Sequence, residues 1–390
     1  MFSFSYWFLS ILYPIGEIDE IIFAMNIWDY QFDYNGHSII FNLFLFVIAV
    51  LRYKSECIGN RITVKGNYGF VYLLLVLFAT FAYAEADFYH YQFHYDMMKH
   101  YDIESLAEPI YFLIAKNLPD NYFVWRFSIW GSAAFFMILA LKKVGVCASY
   151  AGLMMPLFFW HQFSITRGAL GLCIITLALT YCMDSKEKLL IRVISIMVLC
   201  TSVFFHNSIA VFLLFIPIAL LLPLNSKVLR LSIFLFPFLY CGIILLTNNV
   251  MNLDVLAANT EKLAEHYIEG QHSEKNFGGV ACDLLNFSGQ LLMLYLSIRF
   301  VLRQKEQISS VIVFLIKYGY VLVYMSFLFY GQSVSSFISS RFLHASTFPL
   351  IVVYSYYIQH HKIARSNKVA ISLLGLYAFY ELIYPMYKWW

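Results

Sequence analysis

The sequence predicts an all-α, polytopic integral membrane protein: a single transmembrane domain over residues 1–390 with about thirteen spanning helices. Three observations predict it. Hydrophobic residues make up 61% of the chain and charged residues only 13%, against about a quarter charged in soluble domains. Mean hydropathy is +0.69. Apolar windows of helical length recur from one end of the sequence to the other.

The first window, 2–14, is short for a span and lacks the basic region and small-residue cleavage site of a secretory signal, so it reads as a short first helix. Further windows fall at about 38–51, 68–84, 122–141, 146–160, 165–183, 189–205, 208–222, 231–246, 284–301, 309–329, 342–358 and 369–387. Basic residues orient them, because Lys and Arg in short connections stay on the cytoplasmic side. Arg52, Lys54, Arg61 and Lys65 share one connection. Every second connection after it is basic again: Lys142/Lys143, Lys186/Lys188/Arg192, Lys227/Arg230, Arg299/Arg303/Lys305 and Lys362/Arg365/Lys368. The amino terminus is therefore expected inside and the carboxyl terminus outside, with loops 16–37, 85–120 and 247–283 facing away from the cytoplasm.

Most of the acid falls in those outer loops. The long one contains 259–270, which starts on Asn259-Thr260 and closes on Gly270 and so reads as a short helix, either solvated or a lid. The cysteines show no framework: only Cys282 lies in an outer loop. A net charge of +3, with no polybasic run, no zinc-like cysteine pair and no Gly-rich phosphate loop, argues against nucleic-acid binding and a cytosolic nucleotide site.

The interval Glu85 to Pro109 interrupts this lipid-soluble pattern. It carries Glu85, Asp87, Asp96, Asp102, Glu104 and Glu108 with His90, His94 and His100, interleaved with tyrosines. Carboxylates and imidazoles are costly near a bilayer, which makes the interval a candidate site, with an ordinary wet loop as the alternative. Most of the 38 Phe and 30 Tyr are expected to pack, and some could stack on sugars.

Three arginines break the orientation rule. Arg126, Arg167 and Arg341 are each expected at or just inside the outer end of a helix, where a guanidinium needs an anionic side chain or a substrate. Pairing with Glu108 or Asp87 would satisfy any one of them. Three converging would suit a diphosphate, since guanidinium binds phosphate oxygens through two hydrogen bonds. Arg167 stands in the stretch from His161 to Ala169, and the small residues Gly168, Ala169 and Gly171 would allow close approach of a helix or a pyrophosphate. His206-Asn207-Ser208 forms another outer turn between windows that leave almost no connection. There His206 could be structural, or it could serve a diphosphate by hydrogen bonding or protonation.

The order Glu85-Ala86-Asp87-Phe88-Tyr89, Glu108-Pro109-Ile110-Tyr111, Thr166-Arg167-Gly168-Ala169, Phe205-His206-Asn207-Ser208 and Ser340-Arg341-Phe342 resembles the EpsG family, multi-spanning exopolysaccharide proteins related to Wzy polymerases. The match runs from about Tyr83 to Ala210, with Arg341 further on. Gly168 departs from the bulkier or amide residue expected after the arginine.

The resemblance implies a GT-C-like membrane glycosyltransferase in the bacterial inner membrane, joining repeat units carried on undecaprenyl diphosphate at the periplasmic, extracytoplasmic face. Its partners would be the lipid-linked glycan donor and acceptor and membrane lipid, with a chain-length regulator protein as a candidate. The resemblance leads us to expect neither cofactor nor metal, because arginines can neutralise the leaving group. Asp87, Glu108, Arg167 and His206 are the catalytic candidates. Arg126, Arg341, His161, Asn207, Glu85 and Tyr89 are the substrate-binding ones.

Either carboxylate could be the base. A carboxylate at a helix start is held as the anion, and Pro109 makes position 108 such a start, so Asp87 is the expected base and Glu108 the expected partner of Arg126. The rivals are a flippase for lipid-linked oligosaccharide, which should carry its cations in a central cavity; a ligase passing finished glycan to another acceptor; and an O-acyltransferase using His360 or His361.

Overall fold

The computed structural model describes residues 68–80, 87–101, 109–148, 166–206, 209–223, 291, 294–303, 308–328 and 333–360, with backbone only at 74, 78, 87–90, 166–167, 327–328 and 333–340. The described residues are helical, with no strand among them. The expected spans at 2–14, 38–51, 146–160, 231–246 and 369–387 lie outside them wholly or almost so, as do loops 16–37 and 247–283 and the helix at 259–270.

The helices are α1 (Tyr68–Thr80), α2 (Asp87–His100), α3 (Pro109–Asn117), α4 (Tyr122–Val144), α5 (Thr166–Cys182), α6 (Leu189–Thr201), α7 (Ile209–Leu221), α8 (Ser310–Leu328) and α9 (Ser333–His360). Among them α4 is long and apolar enough to cross a membrane, while α5 to α8 contribute shorter apolar stretches. The count of thirteen reaches beyond the described residues.

Local chemistry sets the ends of α4. Asn121 caps its start, its side-chain oxygen accepting from the backbone N–H of Phe123 at 2.9 Å and of Val124 at 3.3 Å. Gly145 closes it at φ 81°, a left-handed conformation that glycine adopts without a Cβ penalty. The helix therefore runs past the expected 141 to include Lys142 and Lys143, cations suited to a helix C-terminus.

Connections that the basic residues assign to one face do meet at one end of the bundle. Lys143, at the end of α4, pairs with Asp184 at 2.7 Å and with Glu187, both in the turn after α5. Lys143 holds the Asp184 carboxyl below its usual range. Ser310, opening α8, donates to the Met183 carbonyl at 2.9 Å. Gln359, near the end of α9, donates to the Gly145 carbonyl and accepts from the Cys147 N–H. Tyr68, opening α1, bonds the Val146 carbonyl.

Thus α4, α5 and α9 end at this basic end, and α1 and α8 begin there. Alternation in sequence has become polarity in space, and the far ends of the same helices gather opposite. Single cysteines at Asp102→Cys and Lys188→Cys in a Cys-depleted background should be labelled by an impermeant maleimide from opposite sides of the membrane. Labelling of both from the same side would contradict the map.

Helix pairing follows small residues. α4 packs along α1 and α5, and α8 along α7 and α9. A Cβ on Gly319 of α8 would stand 2.6 Å from Leu350 Cδ2 of α9, so only glycine lets these two approach so closely.

Two expectations are corrected. The interval 85–120 is not simply a loop: it folds into α2 and α3, which pack on each other and on the bundle. Of its described tyrosine side chains, Tyr91, Tyr95 and Tyr111 are buried and structural, while Tyr101 is exposed. Tyr95 lies against Tyr122 and Trp125, and Tyr111 packs edge-on to Trp125, joining α2 and α3 to the start of α4. Lys99 donates to the Ala115, Lys116 and Leu118 carbonyls and Lys116 to the Lys99 carbonyl, so each helix's last turn is capped by the other's lysine. The second correction concerns α9, which starts at Ser333 and not near 342. Arg341 is therefore two turns inside it, about 12 Å from its first residue at 1.5 Å per residue.

Candidate functional site

A cleft opens near the end opposite the basic one, lined by Gly168 and Leu172 of α5, His206, Ile209 and Phe212 of α7, and Arg341 and His344 of α9. Three segments remote in sequence build it. Each is held by a local feature.

His206 ends the 3₁₀ turn Ser202–Phe205 that continues α6. Its N–H donates to the Val203 carbonyl at 3.2 Å, and its own carbonyl accepts from the Ile209 N–H at 2.9 Å. The imidazole thus stands on a turn fixed from both sides. The turn lies against α5 because Gly171 has no side chain: a Cβ there would overlap Ile209 Cδ1 and come within 3.3 Å of Phe205 Cβ. Gly168 itself lines the cleft, directly after Arg167.

Gly171→Ala should push the 205–209 segment away from α5, at a cost of about 1–3 kcal/mol for overpacking. The expected result is about a tenfold loss of the protein's activity, with the protein still present in the membrane by immunoblot. Unchanged activity would show that the seating of His206 is irrelevant.

Arg341 and His344 lie one turn apart on α9. Phe342 between them is buried edge-on to Phe212 and Phe215, which fixes the rotation of α9 against α7. His344 was not singled out in the sequence. Its spacing of three from Arg341 could have revealed it, because i and i+3 share a helix face.

Arg126 does not join the cleft. It is fully buried at the junction of α1 and α4, where its Nε donates to the Ala79 carbonyl at 2.7 Å and its terminal nitrogen to the Tyr122 hydroxyl at 3.5 Å. Ala79 lies in the last described turn of α1, so the guanidinium ties α4 to the backbone of α1. Expected as a substrate-binding residue, it is a support in the described residues. Its pairing with Glu108 lies outside them.

Asp87 is the first residue of α2. The helix-start argument that favoured Asp87 over Glu108 now applies to both residues, and the asymmetry is gone. The side chains of Asp87, Tyr89 and Arg167, and residues Glu85, Glu108, His161 and Asn207, lie outside what the structure describes.

The neighbourhood of the acidic interval is settled by α3. Beginning one residue after Glu108, it packs against the Ser202–Phe205 turn that carries His206. Within α2, burial pushes the Asp96 carboxyl up, against the lowering influence of His100 and with a further rise from Asp120. Any stability linked to that proton is present below the ordinary carboxylate range and declines as pH rises from there. His100 also pairs with Asp120 at 3.4 Å.

Among the described residues, a helical bundle with one helix long and apolar enough to cross a membrane, several shorter apolar ones and a cleft carrying Arg341 at the end opposite the basic connections fits a membrane protein with polar chemistry at one end. The EpsG family matches residues 67–390, and the chain belongs to it, a family of Wzy-like polysaccharide polymerase and glycosyltransferase-type membrane proteins. No curated protein and no solved structure matches the chain.

Proposed function

We propose that this protein polymerises undecaprenyl-diphosphate-linked oligosaccharide repeat units on the extracytoplasmic face of the bacterial inner membrane. The observation that carries this reading is the convergence of His206, Arg341 and the backbone after Arg167 on one cleft, beside the helix that follows Glu108. Family membership supports polysaccharide synthesis in a membrane.

In the reaction, a hydroxyl of the acceptor sugar attacks the anomeric carbon of the donor, whose bond to the diphosphate oxygen breaks. The hydroxyl proton passes to a carboxylate, and the diphosphate, which carries two negative charges in the donor, takes the electron pair of the broken bond and leaves with a third to be met. Arg167 and Arg341 supply fixed positive charge and paired donors for phosphate oxygens, and His206 adds a donor. The apolar walls formed by Leu172, Ile209 and Phe212 keep water from weakening these contacts. Asp87 or Glu108 takes the proton. In purified enzyme given lipid-linked repeat units, one of Asp87→Asn and folded Glu108→Gln is expected to abolish extension: loss in Asp87→Asn alone makes Asp87 the base, and loss in Glu108→Gln alone makes it Glu108.

The test of the reading is the glycan profile of a deletion strain. Single repeat units at the surface without long chains are expected. Retention of single units inside the cell would instead indicate a flippase. One observation favours that second reading: Arg341 lies two turns inside α9 rather than at its tip.

A further inference from the structure

We propose that His344 is a further binding residue for the lipid diphosphate, lining the anion site from α9 as His206 does from the turn before α7. The inference rests on the diphosphate reading of the cleft and adds to it a residue that neither the motifs nor the family match assigns. Of the seven residues lining the cleft, His206, Arg341 and His344 carry polar side chains, and the other four are Gly168 and the apolar Leu172, Ile209 and Phe212. A diphosphate presents oxygens on two phosphorus atoms. A single guanidinium from one wall can chelate one phosphate, so the second needs donors from elsewhere.

His344 is placed to supply one. Its register on α9 puts it one turn beyond Arg341 on the cleft face, while Phe342 and Leu343 between them are buried in the core. The helix is anchored at both flanks of this turn: Phe342 packs on Phe212 and Phe215, and further along Leu350 seats against Gly319. The pair Arg341 and His344 is thus presented by a rigid element, and His206 by a turn bonded at both ends. An imidazole gives a phosphate oxygen a donor in either protonation state, neutral through one nitrogen and cationic through both.

The experiment uses the full-length protein in nanodiscs with three probes: farnesyl diphosphate, farnesol and inorganic pyrophosphate. Ligand-free melting first establishes that His344→Ala and His344→Gln are folded. Farnesyl diphosphate affinity should fall about tenfold or more in His344→Ala, the size of one charge-assisted hydrogen bond, and less in His344→Gln, which keeps an N–H donor.

Farnesol affinity should stay within about twofold of the wild type in both, whereas general damage to the cleft would lower it as well. Pyrophosphate binding that depends on His344 would locate recognition in the anion alone. Pyrophosphate that fails to bind would show that the prenyl chain is needed to deliver it, with the farnesyl diphosphate result deciding for His344. Wild-type binding of farnesyl diphosphate that survives His344→Ala unchanged would overturn the assignment and leave the diphosphate reading standing. A wild type that binds neither diphosphate would overturn both.

Discussion

Arg167→Lys is expected to lower chain extension by about 10²–10³ while leaving the amount of protein in the membrane unchanged. Lysine keeps the positive charge but loses the planar fork that holds two phosphate oxygens at once. A contact made mainly as the leaving group gains charge appears in rate rather than in folding. Arg167 is the second residue of α5, and Gly168 next to it lines the cleft. The measurement is the length distribution of surface glycan in a strain carrying only the variant, with an immunoblot of its membranes. Near-normal lengths would remove Arg167 from the site.

Arg126 should behave in the opposite way. Arg126→Met leaves a helix-end carbonyl at Ala79 and the Tyr122 hydroxyl without their bonds to the guanidinium in a buried setting. Loss of a charged partner there is worth about 3 kcal/mol, toward the upper part of the range for buried groups. The expected outcome is a several-fold fall in folded protein in the membrane, with activity per remaining molecule little changed. Arg126→Lys, which keeps a donor, should restore part of the yield. Normal yield with lost activity would return Arg126 to the substrate.

The two arginines illustrate what the sequence made legible. Both break the orientation rule and both were candidates for a diphosphate, Arg126 with Glu108 as its expected partner. Hydropathy and charge identify a cation that must have a partner, but one partner of Arg126 is a backbone carbonyl on α1, and carbonyls leave no trace in a sequence. Helix ends were clear where a cap or a charge marks them, as at Tyr122 and Thr166. They were misplaced where packing overrides composition: α9 begins in the polar run from Ser333 to Ser340, which lacks the apolar signal of a span.

In the same way the 85–120 interval looked like a loop because α2 is polar and α3 is short. They are held by buried tyrosines and by lysines crossing to neighbouring carbonyls, contacts that hydropathy does not register. Gly171 was readable as a close-approach position, and its neighbour proved to be the turn carrying His206. The alternation of basic connections was the most informative pattern, since a constraint repeated across the chain survives errors at single helices.

The central claim is that this cleft joins lipid-linked repeat units with loss of a lipid diphosphate. The most direct measurement incubates the purified protein in liposomes with undecaprenyl-diphosphate-linked repeat units and follows glycan length together with released undecaprenyl diphosphate. The account predicts a ladder of longer chains, one undecaprenyl diphosphate released for each bond formed, and loss of both with Arg167→Lys. Repeat units that cross the bilayer without lengthening, and with no lipid diphosphate released, would contradict it.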